Sequence, residues 1–107
     1  MKRGEIWWVN LDPTIGSEIK KRRPCVIVSN DASNRAQSRV QVAPMTSAQP
    51  TRIYPWEARV IVGGRQSKAL ADQIRTVSKD RLVSLAGVAD AAEMAALEEA
   101  LRFQLVL

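Results

Sequence analysis

The run Glu5-Ile6-Trp7-Trp8-Val9-Asn10 is rich in residues that favour extended backbone and stops at Asp12-Pro13, which predicts a first strand closed by a turn. Residues 14–22 follow as a polar loop that contains Gly16 and closes on Lys20-Lys21-Arg22; a stretch so long and so basic is expected at the surface. Pro24 then opens the apolar run 25–29, which reads as a strand buried on both faces, and Asn30-Asp31-Ala32-Ser33-Asn34 reads as the turn that ends it. Arg39-Val40-Gln41-Val42-Ala43 alternates as a strand with one wet face should. After turn-rich residues around Pro50, Trp56, Ala58, Val60 and Val62 fall on one face with Glu57 and Arg59 opposite, which predicts another half-buried strand.

Gly63-Gly64 is a hairpin signal, because both positions tolerate positive φ. The segment 69–77 alternates less cleanly and is read as a strand with a polar interruption at Asp72-Gln73; Arg81-Leu82-Val83-Ser84-Leu85 is read as a last short strand. Asp90 with Glu93 three residues on has the form of a capping box, and Met94, Leu97, Leu101 and Leu105 recur at helical spacing, so the chain is expected to end in an amphipathic helix. Five or six short strands and one terminal helix in 107 residues suggest a mainly β (α+β) single domain over 1–107, a curled antiparallel sheet or small barrel packed by that helix. A barrel of that size is filled by its own side chains, which leaves loops or an outer face for function.

Composition changes the picture mainly through charge. Residues 1–89 hold 15 Lys or Arg against 7 Asp or Glu, while residues 90–107 hold one against four, so the net +5 is a basic body with an acidic tail. A basic body favours a polyanionic partner, since neutralising phosphates releases counterions; simple solubility is the plainer alternative. No apolar run reaches membrane-spanning length and the N-terminus does not have the form of a secretory signal, so no membrane association and a cytoplasmic location are expected. The lone Cys25 lies inside an apolar run and reads as strand core.

The absences narrow the chemistry. With no histidine, the chain has no Ser-His-Asp triad, no histidine acid/base pair and no histidine metal site, and it carries no glycine-rich phosphate loop; no metal and no cofactor are expected. RNA offers a reaction suited to so sparse a set, because the ribose 2′-hydroxyl is a nucleophile already adjacent to phosphorus. The protein need only align the reacting oxygens and stabilise charge on the phosphoryl group, for which guanidinium is well shaped. By pattern alone, Lys20-Lys21-Arg22-Arg23 is as readily a solvated run as a site, Thr46 reads as a structural strand-end threonine, and Asp72, Gln73 and Arg75 read as a solvent-facing edge. Trp7 and Trp8 are expected to serve core and dimer packing, with a base-stacking face as the alternative, and Trp56 is read the same way.

Arg3-Gly4-Glu5-Ile6-Trp7, Leu11-Asp12-Pro13, Gly16-Ser17-Glu18, the stretch from Arg23-Pro24-Cys25 to Ser29-Asn30-Asp31, and Asp72-Gln73-Ile74-Arg75-Thr76-Val77 together resemble the MazF/PemK family of toxin endoribonucleases, in order and across almost the whole chain. The resemblance implies a small SH3-like barrel of the MazF/PemK/CcdB toxin type with a C-terminal helix. It also implies a homodimer, metal-independent cleavage of single-stranded RNA, chiefly messenger, to a 2′,3′-cyclic phosphate and a 5′-hydroxyl, and an acidic antitoxin of the MazE type. Carried over by residue, it makes Arg23 and Thr46 the catalytic pair on the phosphate and sets Glu18, Lys20, Lys21 and Gln73 against the RNA. Some relatives use an Asp with an Arg two residues earlier; here Asp72 matches but the other position is Leu70, which leaves Asp72 a structural role. The alternatives are a CcdB-like toxin that binds DNA gyrase and a barrel that binds RNA without cutting it.

Overall fold

The computed structural model describes residues 1–19 and 21–107; Lys20, one of the expected RNA contacts, lies outside the described residues. Among the described residues seven strands form one antiparallel sheet: β1 (Glu5–Asn10), β2 (Arg22–Ile27), β3 (Arg39–Thr46), β4 (Glu57–Val62), β5 (Arg65–Leu70), β6 (Arg75–Ser78) and β7 (Leu82–Val88). A short helix α1 (Asp31–Ala36) follows β2 and the long helix α2 (Ala91–Leu105) ends the fold. The strand order is β4-β5-β3-β2-β1-β7, with β6 also paired to β3, and the two ends of the path, β4 and β7, come into contact. The sheet therefore curls into a half-barrel, the mainly β arrangement with a C-terminal helix that the pattern predicted.

The apolar run in β2 explains why the sheet has two cores. Cys25 and Ile27 pack with Val9, Leu11, Val40, Val42, Val77 and Leu82 on one face, while Val26 packs with Ile6, Ala43, Met45, Val60 and the helix residues Leu97 and Ala100 on the other. Side chains alternate across a strand, so a strand buried on both faces must be apolar throughout. Burial also pushes the Cys25 thiol up to about 12, against a small opposing effect of the Arg75 charge.

Local chemistry sets the ends of the elements. Gly63 and Gly64 both adopt positive φ, +57° and +77°, and form the two-residue turn between β4 and β5. The Asp90 carboxylate accepts from the Glu93 amide at 2.7 Å while Glu93 Oε1 accepts from the Asp90 amide at 2.9 Å, which is the expected capping box. The second Glu93 oxygen accepts from the Ile61 amide at 2.6 Å, so one carboxylate both starts α2 and satisfies a donor on the edge strand β4.

Three expectations are corrected. Residues 30–34 are not merely a turn: Asn30 caps α1 by accepting from the Ala32 amide at 2.8 Å, and the buried Asn34 donates to the Ser29 carbonyl, so polar residues that look like a turn nucleate a helix. The segment 69–77 is not one interrupted strand; a 3-10 turn at Ala71–Gln73 ends β5, and β6 crosses to pair with β3. Along α2, Leu105 is 49% exposed and Ala100 takes the buried position, because the helix outruns the sheet beneath it.

Leu97→Ala is expected to lower unfolding free energy by about 2–5 kcal/mol through the cavity left between α2 and the sheet, measured as a reduced urea midpoint. Because the thiolate is the reactive form, native protein at pH 8 is expected to resist alkylation at Cys25, and denatured protein to take up one equivalent; prompt native labelling would contradict this core assignment.

Candidate active site

A cleft of about 280 Å³ opens where β2, β3 and β5 end, with Arg23, Pro24, Thr46, Ser47, Arg65 and Trp8 in its wall. Arg23 is placed there by local rules. The residue before a proline is confined to extended backbone, so Pro24 holds Arg23 in the strand conformation, where it pairs with Val9 of β1. On its other side the β2–β3 ladder matches Cys25 with Pro44, Val26 with Ala43 and Ile27 with Val42; Arg23 and Thr46 lie beyond this paired stretch and meet in the wall of the cleft. Thr46 is the last residue of β3, and its hydroxyl oxygen accepts from the Ala48 amide at 3.1 Å, an arrangement that leaves the O–H able to donate.

Lys21 belongs to the same cleft. Its backbone has φ +70° and is pinned to the end of β1: its amide donates to Asp12 Oδ1 at 3.0 Å and its carbonyl accepts from the Leu11 amide at 3.0 Å. With Arg22 and Arg65, the cleft gathers four cationic side chains and, among the described residues, no Asp or Glu lines it. Such a wall concentrates positive potential at the mouth of a partly apolar slot.

The other expected contacts lie elsewhere. Glu18 and Gln73 line a second cleft of about 310 Å³ with Ser17, Asp72 and Arg75. Both are tied to the loop after β1: Glu18 Oε1 accepts from the Ile15 amide at 2.8 Å, and Gln73 Oε1 from the Ile19 amide at 2.7 Å. Partial desolvation lifts the Asp72 carboxyl above its ordinary range, and the nearby Glu57 charge adds to it, against its own backbone amide. The structure thus brings together Arg23, Thr46 and Lys21, and separately Glu18 and Gln73.

Two residues enter the cleft that the sequence reading placed otherwise or passed over. Trp8 is 38% exposed and lines the cleft rather than filling the core; it sits opposite Pro24, one position beyond the last core pairing on its face. Trp7, by contrast, packs on the second core and donates from Nε1 to Glu5 Oε1 at 3.0 Å. Arg65 was hidden because the Gly63-Gly64 turn reads only as a turn; its distance from Arg23 in sequence conceals that β5 and β2 flank β3. Among the described residues no group of three or more Asp, Glu or Cys side chains gathers where a cation could sit.

A family profile described as PemK-like, MazF-like toxin of type II toxin-antitoxin system matches residues 2–105. Endoribonuclease MazF9 of Mycobacterium tuberculosis is 42% identical over 116 aligned residues, covering 100% of this chain and 98% of the relative. Endoribonuclease EndoA of Bacillus subtilis is 33% identical over 111 residues, covering 100% and 96%. Among solved structures, MazF from Deinococcus radiodurans superposes with a TM-score of 0.87 at 28% identity, covering 100% of this chain and 97% of that one. An endoribonuclease in complex with its cognate antitoxin from a mycobacterial species gives 0.84 at 27% identity, covering 100% and 96%. Matched over all but its first residue and its last two, the chain belongs to the PemK-like, MazF-like toxins of type II toxin-antitoxin systems.

Proposed function

We propose that this chain is an endoribonuclease toxin that cuts single-stranded RNA, chiefly messenger, in the cytoplasm by a metal-independent transesterification. The observation that carries this reading is the basic cleft whose wall holds both Arg23 and Thr46. The 2′-oxygen forms a bond to the adjacent phosphorus as the bond from phosphorus to the 5′-oxygen breaks, leaving a 2′,3′-cyclic phosphate and a 5′-hydroxyl. The Arg23 guanidinium holds two phosphoryl oxygens through parallel donors and neutralises the charge that builds on them. The Thr46 hydroxyl donates to the same phosphate. A guanidinium donates hydrogen bonds and offers no acceptor, so the proton from the 2′-hydroxyl passes to water and the leaving 5′-oxygen takes a proton from water.

Lys21, Arg22 and Arg65 supply the field that draws the backbone in, and Trp8 offers an aromatic face beside the phosphate site. The second cleft, with Glu18 and Gln73, lies along the further course of the RNA. An acidic antitoxin segment of the MazE type competes with phosphate for these cations, as the basic body and the related antitoxin complex support. The working form is a homodimer, for which the exposed Val83, Leu85 and Val88 on the end strand β7 are suited.

Purified protein incubated with a long single-stranded RNA in EDTA is expected to make discrete cuts whose downstream fragments carry 5′-hydroxyl ends. Intact RNA, or 5′-phosphate ends, would defeat the proposed reaction. Arg23→Ala is expected to lower kcat by about 10²–10³-fold, comparable to the loss of a donor to a developing oxyanion, with folding retained. Arg23→Lys should restore little, because a point charge does not reproduce two parallel hydrogen bonds; cleavage at the wild-type rate by either variant would remove Arg23 from the mechanism.

A further inference from the structure

Lys68 is 5% exposed, although a lysine is rarely found so deep without a reason. It lies on β5 directly across from Thr46 of β3 and, on its other side, from Arg59 of β4. Its side chain is turned into the fold. Nζ donates to Glu57 Oε1 at 2.9 Å and to the Arg52 carbonyl at 3.0 Å, and lies 5.8 Å from the centre of the Tyr54 ring. All three contacts are in or next to residues 47–56, the segment that leaves Thr46, contributes Ser47 to the cleft wall and returns as β4.

The rest of that segment is fastened to the same point. Glu57 Oε1 also accepts from the Tyr54 amide at 3.0 Å. Tyr54 stacks on Trp56 with ring centres 5.1 Å apart and planes 3° from parallel, the Arg52 guanidinium lies 5.1 Å from the Tyr54 centroid, and Phe103 of α2 closes the column against Trp56 at 6.2 Å. A buried ion pair is weak as a source of stability, since desolvation offsets much of the attraction, but it does select one geometry. Here the geometry selected is that of the chain immediately beyond the proposed phosphate contact.

We propose that Lys68 is a positioning residue for RNA sequence choice: it fastens residues 52–57 and, through them, the segment that begins with Ser47 in the wall beside Thr46, against whose shape the base next to the cut is accepted or refused. The inference rests on the endoribonuclease reading above and adds a determinant of its specificity. Loss of the ammonium releases the wall while Arg23 and Thr46 stay in the sheet, so the bond is still cut but at a wider set of sites. Discrimination falls through KM for the preferred site more than through kcat.

The test compares wild type, Lys68→Met, Lys68→Met combined with Glu57→Gln, Lys68→Arg and Tyr54→Leu. The double variant leaves no carboxylate unpaired, and Tyr54→Leu loosens the same segment without touching the ion pair, so a poorly folding Lys68→Met does not stall the experiment. Cut sites are mapped on a long RNA, and kcat and KM are measured on the preferred oligonucleotide and on one altered by a single base next to the cut. At least a tenfold fall in the kcat/KM ratio between the two oligonucleotides is expected for the double variant and for Tyr54→Leu, with most of the preference retained by Lys68→Arg. An unchanged cut motif and ratio in the folded variants, with only the melting temperature altered, would overturn the assignment and leave Lys68 a structural residue. A wild type that cuts no RNA would overturn the endoribonuclease reading first, and this one with it.

Discussion

The pairing of β3 is the constraint on which the rest depends. This strand carries β2 along one stretch, β6 at its beginning and β5 at its end, all antiparallel and all in fixed register. Its side chains alternate between two buried clusters, with Val40 and Val42 in one and Ala43 and Met45 in the other. A slip of one residue would exchange these faces, so the register is held by burial rather than by any single contact. The same strand pairs Thr46 with Lys68 of β5 and brings Thr46 into the cleft that Arg23 of β2 also lines. The proposed chemistry is therefore tied to core packing: the groups assigned to the phosphate lie where the apolar part of the ladder ends.

Electrostatics then divides the surface into regions with different work. At the end of the sheet Lys21, Arg22, Arg23 and Arg65 face a common space without an acidic neighbour among the described lining residues. In the second cleft Glu18 and Gln73 are engaged with backbone amides of the loop, so their first effect is to shape residues 14–19. On the outer side of β5 a cation is buried and matched by Glu57, and its charge is turned inward to fasten a loop. The three arrangements use similar residue types. What separates them is whether cations are gathered along a cleft, polar groups are bonded to backbone, or a charge is paired inside the fold.

Part of this was legible beforehand because it rests on local rules. The strand at Glu5–Asn10, the doubly buried run of β2, the Gly63-Gly64 turn and the Asp90–Glu93 capping box are set by periodicity, backbone permissiveness and hydrogen bonds within a few residues. The extended backbone of Arg23 was legible through the proline that follows it. What was read differently has two causes: Asn30–Asn34 carries turn-forming residues whose local bonds start a helix instead, whereas Trp8 and Ala71–Gln73 have surroundings supplied from far along the chain. Asn34 becomes a helix residue because it can bond back to Ser29, and Trp8 leaves the core because β1 extends past the cluster it packs against.

The sequence by itself determined where the chain is extended and where it is helical, which residues carry positive charge, and that catalysis has no histidine to draw on. Tertiary structure alone decided which of the many arginines and lysines share a cleft: Arg65 joins Arg23, Arg59 does not, and Lys68 is withdrawn into the fold. The reason is physical. Secondary structure follows from interactions between near neighbours, whereas the pooling of charge depends on the order in which strands pair, and β5 comes to lie beside β3 only because burying both faces of the sheet requires it.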